Sequence, residues 1–217
     1  MANETSDRPK LTAKGARTRA RIVEEAAALI HERGVAGTTL EDVKAAADVS
    51  GSQLYHYFPD KSDLVHAVIG HQTDAIVNAQ RQVLLSGRDG LEAWRTLLVS
   101  GVGHAPEGGC PLGSLGGQLA ETDPEARALI AAAFEQWSTA LGEGLRQLHA
   151  EGKLPASIDP ADLATTLLAT VQGGLLLAQV QRSSRPFETA IDTLLALAGV
   201  ARPAHKKKSV RVPPATR

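Results

Sequence analysis

Two helix-start signals stand close together ahead of Pro59, and their spacing leaves few folds open. Thr38-Thr39-Leu40-Glu41 has the S/T-x-x-E form of a capping box, in which side chains satisfy the orphan N–H groups of a first turn reciprocally. Ser50-Gly51-Ser52-Gln53 repeats the pattern in its S-x-x-Q form. The first signal opens a short helix that presents Leu40, Val43 and Ala47 and ends near Asp48. The second opens a helix that carries Leu54 and ends near Phe58, because the residue before a proline is pushed out of the α region. Upstream, Ile22, Ala26, Leu29, Ile30 and Arg33 recur at helical spacing until Gly34, a natural stop. With only about four residues between the last two of these three helices, a hairpin of full-length helices does not fit; the spacing predicts a helix-turn-helix.

The rest of the chain also reads as helices. One begins near Asp60 and buries Leu64, Val65, Val68, Ile69, Ala75, Ile76, Val83 and Leu84; another runs from Leu91 to about His104. After the break at 106–111 a short helix covers about 112–120. Asp123-Pro124 and Asp159-Pro160 each place an Asp cap before a proline at the first helical position, and a last helix spans roughly 187–199. No strand-length alternation appears, and aromatic residues make up only 3%. The expected fold class is all-α, with about nine helices.

A single cysteine, Cys110, excludes an internal disulfide framework and any multi-cysteine metal centre, so no metal or cofactor is expected. The N-terminus lacks the apolar core of a secretory signal, and the most apolar stretch, 161–180, carries Asp162, Thr165, Thr166, Thr170, Gln172 and Gln179. That makes a poor membrane span, and the chain is expected to be soluble and cytoplasmic.

The formal net charge of −1 hides a segregation. Arg8, Lys10, Lys14, Arg17, Arg19 and Arg21 form a basic front with no acidic residue among them; Arg202, Lys206, Lys207, Lys208, Arg211 and Arg217 form a basic tail. The intervening body is acidic. Such asymmetry points one end at a polyanion, although either run also fits a solvated, disordered terminus. Next to the basic front, Tyr55-His56-Tyr57 sits on a helix of barely two turns. Three consecutive side chains point about 100° apart, so at least one must face outward, where its polar tip can meet phosphate oxygens or base edges.

The run L-E-D-V-x-x-A-A-D-V-S-x-x-x-L-Y-H-Y-F-x-x-K-x-x-L, Leu40 to Leu64, resembles the DNA-binding signature of the TetR family of transcriptional repressors. The likeness is close over 17–64; GGCPLGSL, 108–115, resembles a loop and short helix of one branch of the family. The resemblance implies that Thr39 binds phosphate near a helix N-terminus. It implies that Ser50, Ser52 and Gln53 start a recognition helix in the major groove of an operator in double-stranded DNA, with Gln53 reading a base. It places Tyr55 on a base methyl or phosphate, and Tyr57 and Lys61 on the backbone. His56 reads equally as a contact or a solvated side chain. Where many members carry Lys or Arg after the turn serine, this chain has Gly51, which removes one charged contact.

Reading a palindrome with two helices ~34–36 Å apart requires a homodimer. The last two helices are the expected interface, through Ala169, Gly173, Gly174, Leu177, Leu194 and Ala198, although Gly173-Gly174 also fits a kink or a crowded ligand. The chain then divides into a flexible basic arm (1–12), a helix-turn-helix domain (13–60), a ligand-binding and dimerisation domain (61–200) and a disordered basic tail (201–217). Trp94, His104, Phe134, Trp137, Leu141 and Gln172 are the candidate residues for a pocket that binds a small-molecule inducer.

Two other classes compete. An enzyme is disfavoured: H-E-x-x-H, P-loop and G-x-S-x-G motifs are missing, and Leu112-Gly113-Ser114-Leu115-Gly116 fails the last at its first position. A helical protein-binding adaptor, or a small-molecule-binding protein without DNA activity, leaves the basic front and the Tyr55–Lys61 cluster without a purpose.

Overall fold

The structure, a computed structural model, describes residues 11–84, 90–104 and 109–199, without the side chains of 103 and 104. The expected arm (1–12), apart from Leu11 and Thr12, and the expected tail (201–217) lie outside the described residues. Those residues form nine helices and no strand: α1 (Ala13–Arg33), α2 (Leu40–Ala46), α3 (Gly51–Tyr57), α4 (Lys61–Leu84), α5 (Gly90–His104), α6 (Pro111–Leu119), α7 (Pro124–Ala150), α8 (Pro160–Gln181) and α9 (Arg185–Leu197).

Local chemistry sets the boundaries. The Thr12 hydroxyl accepts from the Gly15 N–H at 3.1 Å and starts α1 at Ala13, well before its apolar rhythm begins at Ile22. Gly34 ends it at φ +76°, a left-handed conformation that suits glycine, and the Gln118 side-chain oxygen would lie 2.9 Å from any Cβ there. Asp123 and Asp159 cap α7 and α8 with a proline at the first turn, as the sequence predicts.

The opening box of α2 differs from expectation by one residue. Thr39, not Thr38, is the cap: its hydroxyl accepts from the Asp42 N–H at 3.1 Å, and the Asp42 carboxylate accepts from the Thr39 N–H at 2.8 Å. Thr38 is 2% exposed and donates its hydroxyl to the Gly34 carbonyl, while Glu41 turns to Lys44. Two adjacent threonines and two adjacent acids fit the motif in either register. Burial of Thr38 selects between them.

Helix α4 holds the two halves together, packing on α1 and along α7 from His66 beside Asp123 to Arg81 beside Glu143, with α8 between α7 and α9. Past Ile69 its buried face runs through Thr73, Val77, Gln80 and Leu84, and Ala75 is exposed. Its two buried polar side chains are both hydrogen-bonded, as buried polar groups must be: Thr73 donates to the Ile69 carbonyl, and Gln80 accepts from tryptophans. On α5 and α9, Arg95 and Asp192 form a buried bidentate pair.

By length and composition α8 could cross a membrane, but its Leu163, Leu167, Val171 and Ala178 face is buried within the protein. It runs unbroken through Gly173-Gly174. The ring of Phe187 on α9 lies 2.9 Å from where a Gly174 Cβ would stand, so this glycine serves the packing of α8 on α9 within one chain. Ala198 is likewise buried. Gly173, by contrast, has open space around it.

Candidate nucleic-acid interface and ligand cavities

The head is built so that one face of α3 is committed to the core and the rest is free. Leu54 and Phe58 are fully buried, and the Arg19 guanidinium stacks over the Phe58 ring at 5.0 Å from its centroid. The Ser50 hydroxyl accepts from the Gln53 N–H at 3.2 Å, and Gln53 Oε1 accepts from the Ser50 N–H at 3.0 Å, the box expected from the sequence. Ser50, Ser52, Gln53, Tyr55 and His56 are exposed; Tyr55 retains 50% of its surface, unusual for a large ring.

Tyr57 is half-buried. Its hydroxyl lies 3.2 Å from a Cβ built on Gly15, so the start of α1 approaches it closely. The His56 and Tyr57 rings meet edge-on with centroids 5.0 Å apart. Lys61 is the first residue of α4, and Gly51 faces open space. The Thr39 hydroxyl, already accepting from Asp42, also donates to the Asp42 carboxylate at 2.6 Å. The Thr39 hydroxyl and amide hold that carboxyl below its ordinary range.

Two cavities flank Cys110 in the body. The smaller, about 290 Å³, is lined by Gln80, Leu98, Trp137 and Leu175 and reaches His31 of α1. The larger, about 620 Å³, is lined by Ser114, Gln118, Phe134, Gln172 and Leu176. Cys110 lines both, caps α6 by accepting from the Gly113 N–H, and is buried; that burial pushes its thiol up from the ordinary range. Of the six pocket candidates, Trp137 lines one cavity and Phe134 and Gln172 the other. Trp94 and Leu141 are fully buried core residues that line neither, and the His104 side chain lies outside the described residues. Gln80 and Cys110 were not among the candidates. A glutamine within an apolar helical rhythm was the available signal for the first.

Two short helices, each opened by its own capping box and the second with its outer face exposed, set on a helical body with apolar cavities, define a helix-turn-helix transcriptional regulator. The family model described as "Bacterial regulatory proteins, tetR family" matches residues 22–68, and "Tetracyclin repressor-like, C-terminal domain" matches residues 88–194. The chain belongs to the TetR family. Transcriptional regulator AcuR of Cereibacter sphaeroides is 25% identical over 163 residues, covering 73% of this chain and 74% of its own. Transcriptional repressor DhaR of a Mycobacterium species is 25% identical over 182 residues, covering 78% and 86%. A crystal structure of a TetR regulator from Chloroflexus aurantiacus superposes with a TM-score of 0.73 at 27% identity, covering 85% of this chain and 96% of that one.

Proposed function

We propose that this regulator is a cytoplasmic repressor that binds a palindromic operator as a homodimer and lets go when a small molecule enters its body. The observation that carries the reading is the bare outer face of α3 (Ser52, Gln53, Tyr55 and His56) held over a fully buried Leu54–Phe58 anchor. Residues 13–60 form the reading head and 61–200 the sensing and pairing body. A helix so placed enters the major groove, with Tyr57 and Lys61 on flanking phosphates and Thr39 joining them when its hydroxyl turns from the Asp42 carboxylate.

Gln53 reads chiefly with its donors. Its Oε1 already accepts from the Ser50 N–H, whereas its NH₂ group is uncommitted and can be offered to base acceptors such as guanine N7 and O6 or thymine O4. Pairing is supported by an outward stripe on α8, Ala169, Gly173, Leu176, Leu177 and Val180, and by Leu197 on α9; Val180 and Leu197 are 72% and 74% exposed. Such a stripe is the self-complementary patch that a two-fold axis needs. The inducer occupies the cavities at Cys110, and its binding shifts the population toward a head spacing unsuited to DNA. The reading is of a binding protein and not a catalyst.

Selection of duplexes from a random pool by the purified protein tests this. The expected result is enrichment of an inverted repeat; recovery of unrelated sequences overturns the reading.

A further inference from the structure

The cavities beside Cys110 have an uneven polarity that bears on what they hold. Among the described residues no Asp, Glu, Lys or Arg lines either one, and apart from the Cys110 thiol the one titratable lining group is His31 at the mouth of the smaller. A carboxylate or phosphate entering them would lose its hydration with no cation to meet it. An ammonium would find a single ring in each chamber, Trp137 or Phe134, and no carboxylate.

Of the polar side chains that remain, Ser114, Gln118 and Gln179 already have partners, which leaves the carboxamides of Gln80 and Gln172. Gln80, 4% exposed, lines the smaller cavity, and its Oε1 accepts from the Nε1–H of both Trp94 and Trp137. Two indole donors converging on one oxygen fix the orientation of the amide, since an NH₂ group cannot accept from them. The Gln80 NH₂ is therefore what that side chain can still offer. In the larger cavity, Gln172 Nε2 is buried and faces only the Cys110 sulfur, a weak acceptor, with no hydrogen-bond partner of good geometry, the one buried side-chain polar atom in that state among the described residues. A buried donor left unmade is costly and asks for an acceptor.

We propose that the ligand of these cavities is an uncharged, largely apolar molecule carrying an acceptor oxygen of carbonyl type, bound by Gln172 Nε2 and, in the smaller chamber, by the Gln80 NH₂. This rests on the reading that the cavities hold the inducer. It adds the chemical class: neutral, rich in acceptors and poor in donors.

The test uses the full chain and four probes of matched size: butyrophenone, butylbenzene, phenylbutyric acid and phenylbutylamine, each titrated by calorimetry. The ketone should bind about tenfold more tightly than the hydrocarbon, the yield of one satisfied buried donor, and the acid and amine no better than the hydrocarbon. Gln172→Leu should abolish the ketone's advantage, and Gln172→Glu should transfer it to the amine; melting curves confirm that both variants fold. Equal binding of ketone and hydrocarbon, tightest binding of the acid or amine, no binding of any probe, or an undiminished ketone preference in Gln172→Leu overturns the proposal. Duplex binding by the same preparation is scored separately. Its loss sinks the regulator reading and leaves the ligand class standing, whereas operator binding without ketone preference does the reverse.

Discussion

The side-chain oxygen of Gln118 accepts a hydrogen bond from the backbone N–H of Val35, 2.8 Å away and 83 positions earlier in the chain. Gln118 lies at the end of α6 and lines the larger cavity, whereas Val35 lies in the turn that leads from α1 into α2. The wall of the larger cavity thus grips the helix-turn-helix head directly. Gly34 keeps that contact close, since a Cβ there would collide with the Gln118 amide.

Gln118→Ala should cut this grip without unfolding either half. Hydrogen exchange at the Val35 amide should quicken about five- to tenfold, and stability should fall by about 1 kcal/mol, the net worth of one hydrogen bond. Unchanged exchange at Val35 would show that the contact does not hold the head.

At the DNA face, Gln53→Glu separates capping from reading. The carboxylate can still accept from the Ser50 N–H, so α3 should stay folded, but both donors are gone and a negative charge faces the groove. Affinity for the selected operator should drop by at least about 1–3 kcal/mol in fluorescence anisotropy. Lys61→Ala should instead weaken all duplexes alike and lower the salt slope by about 1.

The neighbouring glycines of α8 have opposite surroundings and should respond differently. Gly174→Ala forces a methyl into the Phe187 ring and should cost about 1–3 kcal/mol by thermal melting. Val180→Arg, on the outward stripe, should change protomer stability by less than about 0.5 kcal/mol yet yield monomers in sedimentation velocity. Dimers that persist in this variant would move the interface elsewhere.

Between α5 and α9, Asp192→Asn leaves the Arg95 guanidinium without its buried counter-charge and should cost about 3–5 kcal/mol. In a chain of this size that lowers Tm by about 6–20 °C. Replacing both partners, Arg95→Met with Asp192→Leu, should restore much of the loss.

The reach of the sequence follows the reach of the interactions. The α3 box was legible because Ser50 and Gln53 are three residues apart and no neighbour offers a rival register. The α2 box was misplaced by one residue because Thr38 and Thr39 differ in burial, a tertiary fact. The inward path of α4 through Gln80 was hidden for the same reason: its indole partners lie 14 and 57 positions away. Both glycines of α8 carry the same letter, and only the placement of Phe187 on α9 separates the packing one from the exposed one. Trp94 and Leu141 were legible as buried, but a residue's size and polarity do not say whether it borders a cavity.

The central claim is that two α3 helices read one duplex together. Sedimentation equilibrium of the full chain on its selected operator measures this directly. The account predicts two protomers per inverted repeat, with half-site centres about one helical turn apart, and loss of tight binding when five base pairs are inserted between them to turn the half-sites onto opposite faces. A single bound protomer, or affinity indifferent to that insertion, would contradict it.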